Sequence, residues 1–338
     1  MSLPTHVPVA RYRFTARMRQ DVRLPVYAGS LLRGQFGAAL RQVACMTRQP
    51  TCTACPLQTS CPYARTFEAI APEAHRLHAF SAMPNAYIIE PPLPPQGLYA
   101  ARHASDDARH NDLRAGDLLE FHMVLVGHAL GQLALVLFAW QKALSQGLTK
   151  QRSPADLIQV DWLDSHDNPH TVWTAQSPCV LSHSADLTVP DMPPTSEDQT
   201  GWVLELSTPM RLQQQGQPLR PTRLSSHSLL TNLVRRVALV MELHAAQTQW
   251  QDKVAHTLHH TRHISDTRHL HWYDWKRYSS RQQQEMTLGG VVGQWHLQGP
   301  TPSMQALWPW LWLGQWLHVG KNVTMGMGAY RVHTATSG

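Results

Sequence analysis

The chain has 338 residues, of which 43% are hydrophobic and 15% charged. That is enough apolar material for a sizeable core, and too little charge for a disordered chain. Its 19 glycines and 24 prolines are ordinary usage and exclude a collagen-like or low-complexity chain. Lys and Arg (29) exceed Asp and Glu (23) by six, with 21 histidines besides, a balance that points weakly toward a polyanionic partner.

In chain order, residues 9–19 (VARYRFTARMR) partly alternate apolar and polar positions, as a half-buried strand does. A helix follows from 30, with Ser30 as its N-cap and Leu31, Leu32, Phe36, Ala39, Leu40 and Val43 near helical spacing. The stretch 84–97 (PNAYIIEPPLPPQG) reads as a proline-rich turn. Residues 118–126 read as a strand and 129–144 as a helix, and a strand spans 157–163. The apolar run 118–140 is interrupted by Glu120, His122, His128 and Gln132, which suits a buried strand and helix better than a membrane span. No signal-peptide core opens the chain, so a cytoplasmic protein is expected.

A polar stretch at 187–200 divides a first domain (1–186) from a second (201–338). In the second, a strand at 202–207 precedes a long amphipathic helix at 226–250. Strands at 271–278 and 290–297 follow, then a tryptophan-rich helix at 304–316 and a last strand at 330–333. The expected class is α+β, with two tandem ferredoxin-like βαββαβ units. Trp308, Trp310, Trp312 and Trp316 read as core rather than as a base-stacking platform.

Four of the five cysteines cluster as CMTRQPTCTACPLQTSCPY: Cys45, Cys52, Cys55 and Cys61. A C-x-x-C knuckle with two further thiolates matches a closed, structural Zn²⁺ site inserted in the first domain. A redox pair, a disulfide and an iron–sulfur cluster are the other readings of such a set.

The segment HVGKNVTMGMGAYRV carries Gly320, Gly326 and Gly328 around Lys321, Asn322 and Thr324. Closely spaced glycines let backbone N–H groups approach a phosphate, and a lysine adds charge. It is neither a P-loop nor a dinucleotide fingerprint; a glycine-rich hairpin turn is the plain alternative. A second tract, HTLHHTRHISDTRHLHWYDWKRYSSRQ, mixes histidines with Arg262, Arg268, Lys276, Arg277 and Arg281, and with Trp272, Tyr273, Trp275 and Tyr278. Cations for phosphates and rings for bases describe an RNA groove. A solvated loop, or a metal held by His259 and His263, are the alternatives.

These pieces together resemble the CRISPR precursor-RNA-processing endoribonucleases of the RAMP superfamily. The likeness rests on YAGSLLRGQFGAALRQ with the cysteine cluster, LLEFHMVLVGHALGQLALVLFAWQKAL, STPMRLQQQGQPL, WKRYSSRQQQEMTLGGVVG and HVGKNVTMGMGAY. The resemblance implies two ferredoxin-like domains and cleavage of CRISPR repeat RNA without a catalytic metal. In that reaction the ribose 2′-hydroxyl attacks the phosphorus, leaving a 2′,3′-cyclic phosphate and a 5′-hydroxyl. Retention of the mature crRNA, and further CRISPR effector subunits as partners, are left open.

Such chemistry asks for a base, an acid and a cation. The family often places a histidine in or near the first helix, sometimes with a tyrosine; here 29–46 contains none, and Tyr27, Arg33 and Arg41 stand there instead. His318 with Lys321 is the first candidate pair, Tyr27 with Arg33 the second, and His75 or His78 the third. Arg41, the basic tract and the glycine loop are the candidate RNA contacts. The missing histidine keeps a catalytically inactive RAMP subunit that binds guide RNA as the alternative.

Overall fold

The computed structural model describes residues 3–68, 83–95, 97–98, 110–193, 201–279 and 284–335. The first half is built on five antiparallel strands: β1 (Val9–Met18), β2 (Tyr87–Glu90), β3 (Leu118–Val126), β4 (Ala155–Leu163) and β5 (Pro169–Thr174), in the order β2-β3-β1-β4-β5. Helices α1 (Gly29–Ala44) and α2 (Leu133–Ser145) cover one face. Alternation decides which side chains go there. Tyr12, Phe14 and Ala16 of β1 and Phe121 and Met123 of β3 point into the core, where Phe14, Phe121, Phe36 and Trp140 pack ring on ring. The alternate residues, Arg11, Arg13 and Arg17 with Glu120 and His122, turn to the other face.

The second half repeats the plan with β6 (Gly201–Met210), β7 (Ser265–Ser279), β8 (Gln284–Gln298) and β9 (Tyr330–Ala335), ordered β7-β8-β6-β9. Its core lies between this sheet and helices α3 (Ser226–Ala245) and α5 (Thr301–Leu317). Trp308, Trp310, Trp312 and Trp316 are buried there, as core residues. Ser225 and Ser228 close a reciprocal capping box that starts α3.

Several expectations are corrected. Helix α1 begins at Gly29 with Ala28 as N-cap, so Ser30 is not the cap. Residues Tyr87–Glu90, inside the stretch read as a turn, form β2. Ile88 faces the core of the second half while Tyr87 and Ile89 face that of the first, which explains the unbroken apolar run. The long helix expected to reach 250 stops at Ala245, because Ala246 is left-handed (φ 54°); a separate helix α4 (Gln249–His260) follows. The histidine tract therefore starts on a helix, not in a loop. Within the stretch expected as linker, Leu187–Thr188 pairs with His6–Val7, tying the divide back to the N-terminal segment. No helix among the described residues is long and apolar enough to cross a membrane.

Candidate functional site

The glycine loop is a tight turn packed between the two halves. Gly320, Gly326 and Gly328 all have positive φ, and a Cβ on Gly328 would lie 1.9 Å from Val319 O. The loop's amides are spent on protein: Lys321 N donates to Arg211 O, Met325 N to Asn322 O, Gly326 N to Val323 O and Gly328 N to Pro209 O. These four N–H groups do not point at a phosphate, which corrects the expectation drawn from the glycine spacing. Thr208 Oγ1 donates to Gly326 O and accepts from Ala329 N, fixing the loop to β6. Lys321 is exposed; Asn322 and Thr324 are half-buried.

The first half holds this loop from the other side. Gly29 lets the start of α1 approach Met325, whose carbonyl would be 1.9 Å from a Cβ there. Tyr27 is buried and donates its hydroxyl to the same carbonyl over 2.8 Å, with its ring edge-on to Trp275 at 4.7 Å. Burial holds its phenol far above the ordinary range. Tyr27 is therefore packed glue rather than a solvent-facing proton carrier. Tyr273 and Trp275, expected to stack bases, are buried in this cluster with it.

His318 is wholly buried. Its Nε2 lies 3.0 Å from Glu90 Oε1 and its Nδ1 3.2 Å from Met327 O. The side chain thus joins the loop to β2 and has no face toward solvent, contrary to the first-ranked expectation of phosphate chemistry. Burial alone would raise the Glu90 carboxyl; Arg11 beside it and the hydrogen bond from His318 outweigh that and hold it well below the usual carboxylate range. Half-buried Arg236 donates to the carbonyls of Leu317 and His318, satisfying the end of α5, and desolvation pushes its guanidinium down to about 10.

Beyond this seam, the uncovered faces of the two sheets form a cleft of about 620 Å³. Arg11, Glu90, Glu120 and His122 line one wall, and Ser207, Thr208, Tyr330 and Arg331 the other. Arg11 Nε donates to Glu90 (2.6 Å) and its Nη1 to Asp167 (2.9 Å); Arg331 donates to the other Asp167 oxygen (2.8 Å). His122 is half-buried, paired in register with Glu90 on β2 and Arg13 on β1. Burial first, then the nearby Arg11, pushes its ring down to about 4, so it is neutral at pH 7.

Residues 204–330 match the family model of the CRISPR-associated endoribonuclease Cas6, and residues 7–185 match the AF_1859_N model, an N-terminal domain. Residues 204–330 belong to the Cas6 family of CRISPR-associated endoribonucleases. The structure is similar to the product complex of Thermus thermophilus Cas6 (TTHB231), with TM-score 0.54 and 14% identity over 96% of this chain and 100% of that one. It is also similar to a chain of a partial Cas6-RT-Cas1–Cas2 complex, with TM-score 0.53 and 14% identity over 99% of this chain and 47% of that one. At such identities the likeness shows the fold. No curated protein matches the chain in sequence.

The remaining candidates are spread over the fold. Arg33 is half-buried, stacked over Phe67 at 4.4 Å, and its Nε is enclosed without a partner. Arg41 donates to the carbonyls of Gln49 and Pro50, so it braces the cysteine loop. Arg268 is paired with Asp266 (3.0 Å), while Arg262 and Lys276 are exposed. Arg277 and Tyr278 lie on β7. His75, His78 and Arg281 lie outside the described residues. Cys45, Cys52, Cys55 and Cys61 line one pocket of about 140 Å³, a donor set whose chemistry suits zinc. Among the described residues, no three or more His, Cys, Asp or Glu side chains are gathered closely enough to hold a metal ion.

Arg11, Glu90, His122, Asp167 and Arg331 are absent from the sequence-based candidates. The alternation of VARYRFTARM and LLEFHMVLV already places Arg11 and His122 on the strand faces opposite the aromatics.

Proposed function

We propose that this protein cleaves CRISPR repeat RNA by attack of a ribose 2′-hydroxyl on the adjacent phosphorus, leaving a 2′,3′-cyclic phosphate and a 5′-hydroxyl, without a catalytic metal. The Cas6 family match over 204–330 carries this reading. The cleft supports it, because it lies between two uncovered sheet faces and offers a histidine together with cations to a polyanion. The strand order of each sheet supports reading both halves as ferredoxin-like units.

His122 takes the role of base. A neutral imidazole lining the cleft is able to accept the 2′-hydroxyl proton. Exposed Lys321, Arg262 and Lys276 supply phosphate contacts outside the cleft. The four cysteines, whose side chains are not gathered into a metal-holding cluster as they stand, would close around one structural Zn²⁺ that braces the loop after α1 and takes no part in the reaction.

The inward packing of Tyr27, Arg33 and His318 favours a second reading, a subunit that binds guide RNA without cutting it. Incubation of labelled repeat RNA in EDTA decides between them. A single cut with a cyclic-phosphate end supports the endoribonuclease. Tight binding without a cut supports the binding subunit, and neither overturns both.

A further inference from the structure

Two arginines from different halves of the chain converge on one exposed carboxylate. Arg11 stands on β1 and Arg331 on β9; each donates to a separate oxygen of Asp167, at 2.9 and 2.8 Å. Both arginines line the cleft. The side chain of Arg11 is 15% exposed and that of Arg331 37%, whereas Asp167 is 46% exposed. A carboxylate bridging two guanidinium groups has the charge and the paired oxygens of a phosphodiester in the same place.

The turn between β4 and β5 presents Asp167 but does not depend on its carboxylate. Asp164 builds that turn: its Oδ1 accepts from His166 N and Asn168 N, its Oδ2 accepts from Asn168 Nδ2, and its backbone carbonyl accepts from Asp167 N. Asp167 itself is left-handed (φ 62°), a conformation Asp and Asn tolerate better than other residues with a side chain. Nothing in the turn requires this side chain to lie between two arginines. Arg11 is anchored separately by Glu90 at 2.6 Å, so it stays in place when Asp167 leaves. Arg331 is free to follow a ligand, because Asp167 is its one ion-pair partner among the described residues.

We propose that Arg11 and Arg331 form a phosphodiester site across the seam between the two halves, and that the Asp167 carboxylate occupies it until a phosphate of bound RNA displaces it. The inference rests on the reading of the chain as an RNA-cleaving enzyme and assigns part of its substrate path. A surface carboxylate competing with RNA lowers affinity, and its removal of positive charge from the cleft is reversed when the turn swings out. Both effects are measurable separately from cleavage.

The test uses the full chain and a repeat RNA carrying a 2′-deoxy residue at the cut, so that binding is read alone. Asp167→Asn keeps a residue suited to the left-handed turn and removes only the charge. It is expected to bind about fivefold tighter. Arg331→Gln is expected to bind more weakly and to lower the slope of log affinity against log salt by about 1, as loss of one phosphate contact does. Arg331→Lys should restore part of the slope, and thermal melts show that each variant folds. Asp167→Asn binding no tighter than wild type, or Arg331→Gln with an unchanged salt slope, overturns the proposal. If wild type cuts the unmodified repeat while these variants bind like it, this inference alone fails. If wild type neither binds nor cuts, the functional reading fails and takes this inference with it.

Discussion

His318 Nε2 and Glu90 Oε1 meet at 3.0 Å across 228 positions of sequence, with the histidine fully enclosed between the glycine loop and β2. His318 also has a positive φ of 54°, a strained conformation for a residue with a side chain. Such strain persists where the surroundings over-determine it, and here both ring nitrogens are anchored. Glu90 in turn meets Arg11, so one carboxylate ties together β1, β2 and the loop. Glu90→Gln is expected to cost about 3 kcal/mol at neutral pH, because it removes the buried carboxylate that both Arg11 and His318 meet and leaves Arg11, among the described residues, only its ion pair with the exposed Asp167. Because the folded carboxyl is held below its ordinary value, its contribution is full above the unfolded pKa, about 4.3. It is lost as pH falls through the folded value. Thermal melts of wild type and Glu90→Gln should therefore differ by a constant amount above pH 5 and converge in stronger acid. A gap that persists there would show that Glu90 acts by shape and not by charge.

Tyr27→Phe separates packing from chemistry at the start of α1. The hydroxyl donates to Met325 O, and its loss removes that buried hydrogen bond, at a cost of about 1 kcal/mol. The ring contact with Trp275 is kept. Denaturant melts should show that loss, while single-turnover cleavage, measured where both proteins are folded, should stay within a few-fold of wild type. A thousandfold loss of rate with unchanged stability would return Tyr27 to the reaction.

Gly328→Ala should destabilise the loop by more than 1 kcal/mol. The new Cβ meets Val319 O at 1.9 Å, and φ of 76° is unfavourable for alanine. Gly34→Ala is the matched control: it sits in α1 with nothing within 4 Å of the added methyl, so it should be neutral or slightly stabilising. Equal melting temperatures for the two variants would contradict the tight packing of the turn.

Most of the two sheets and their main helices were legible because each hides one face. The alternation of β1 and β3 and the apolar stripes of α3 and α5 repeat with periods that sequence displays directly. The seam was not legible. Its contacts join residues 228, 298 and 164 positions apart, as in His318 with Glu90, Tyr27 with Met325 and Arg331 with Asp167. His318 and Tyr27 look reactive in a sequence because polar groups there carry no sign of burial. The glycines were read as open to a ligand, whereas the same conformational freedom serves close backbone packing. The break after α3 falls at Ala246, where no glycine or proline announces it.

The cysteine cluster has its own test. Four thiols line one small pocket next to the end of α1, and thiolates at C-x-x-C spacing favour zinc. Purified protein should carry about one zinc per chain, and Cys52→Ser with Cys55→Ser should abolish it. Chelation should lower the melting temperature of wild type but not of the double variant. A stable, metal-free wild type would remove zinc from the account.

His122→Ala is the decisive variant for the cleft. The ring lines the cleft between Glu90 and Arg13, and it is neutral at pH 7 because burial and then Arg11 disfavour its charge. A positioned base contributes roughly a hundredfold to ten-thousandfold in rate. The variant should therefore cut repeat RNA at least a hundredfold more slowly, while binding an uncleavable repeat within a few-fold of wild type. Wild-type cleavage should fall as pH drops toward 4 and the ring takes up a proton; that acid limb should vanish in the variant's residual activity. Unchanged cleavage by His122→Ala would move the search for the base to His75 and His78, and weakened binding with an unchanged rate constant would make His122 a contact to the RNA backbone.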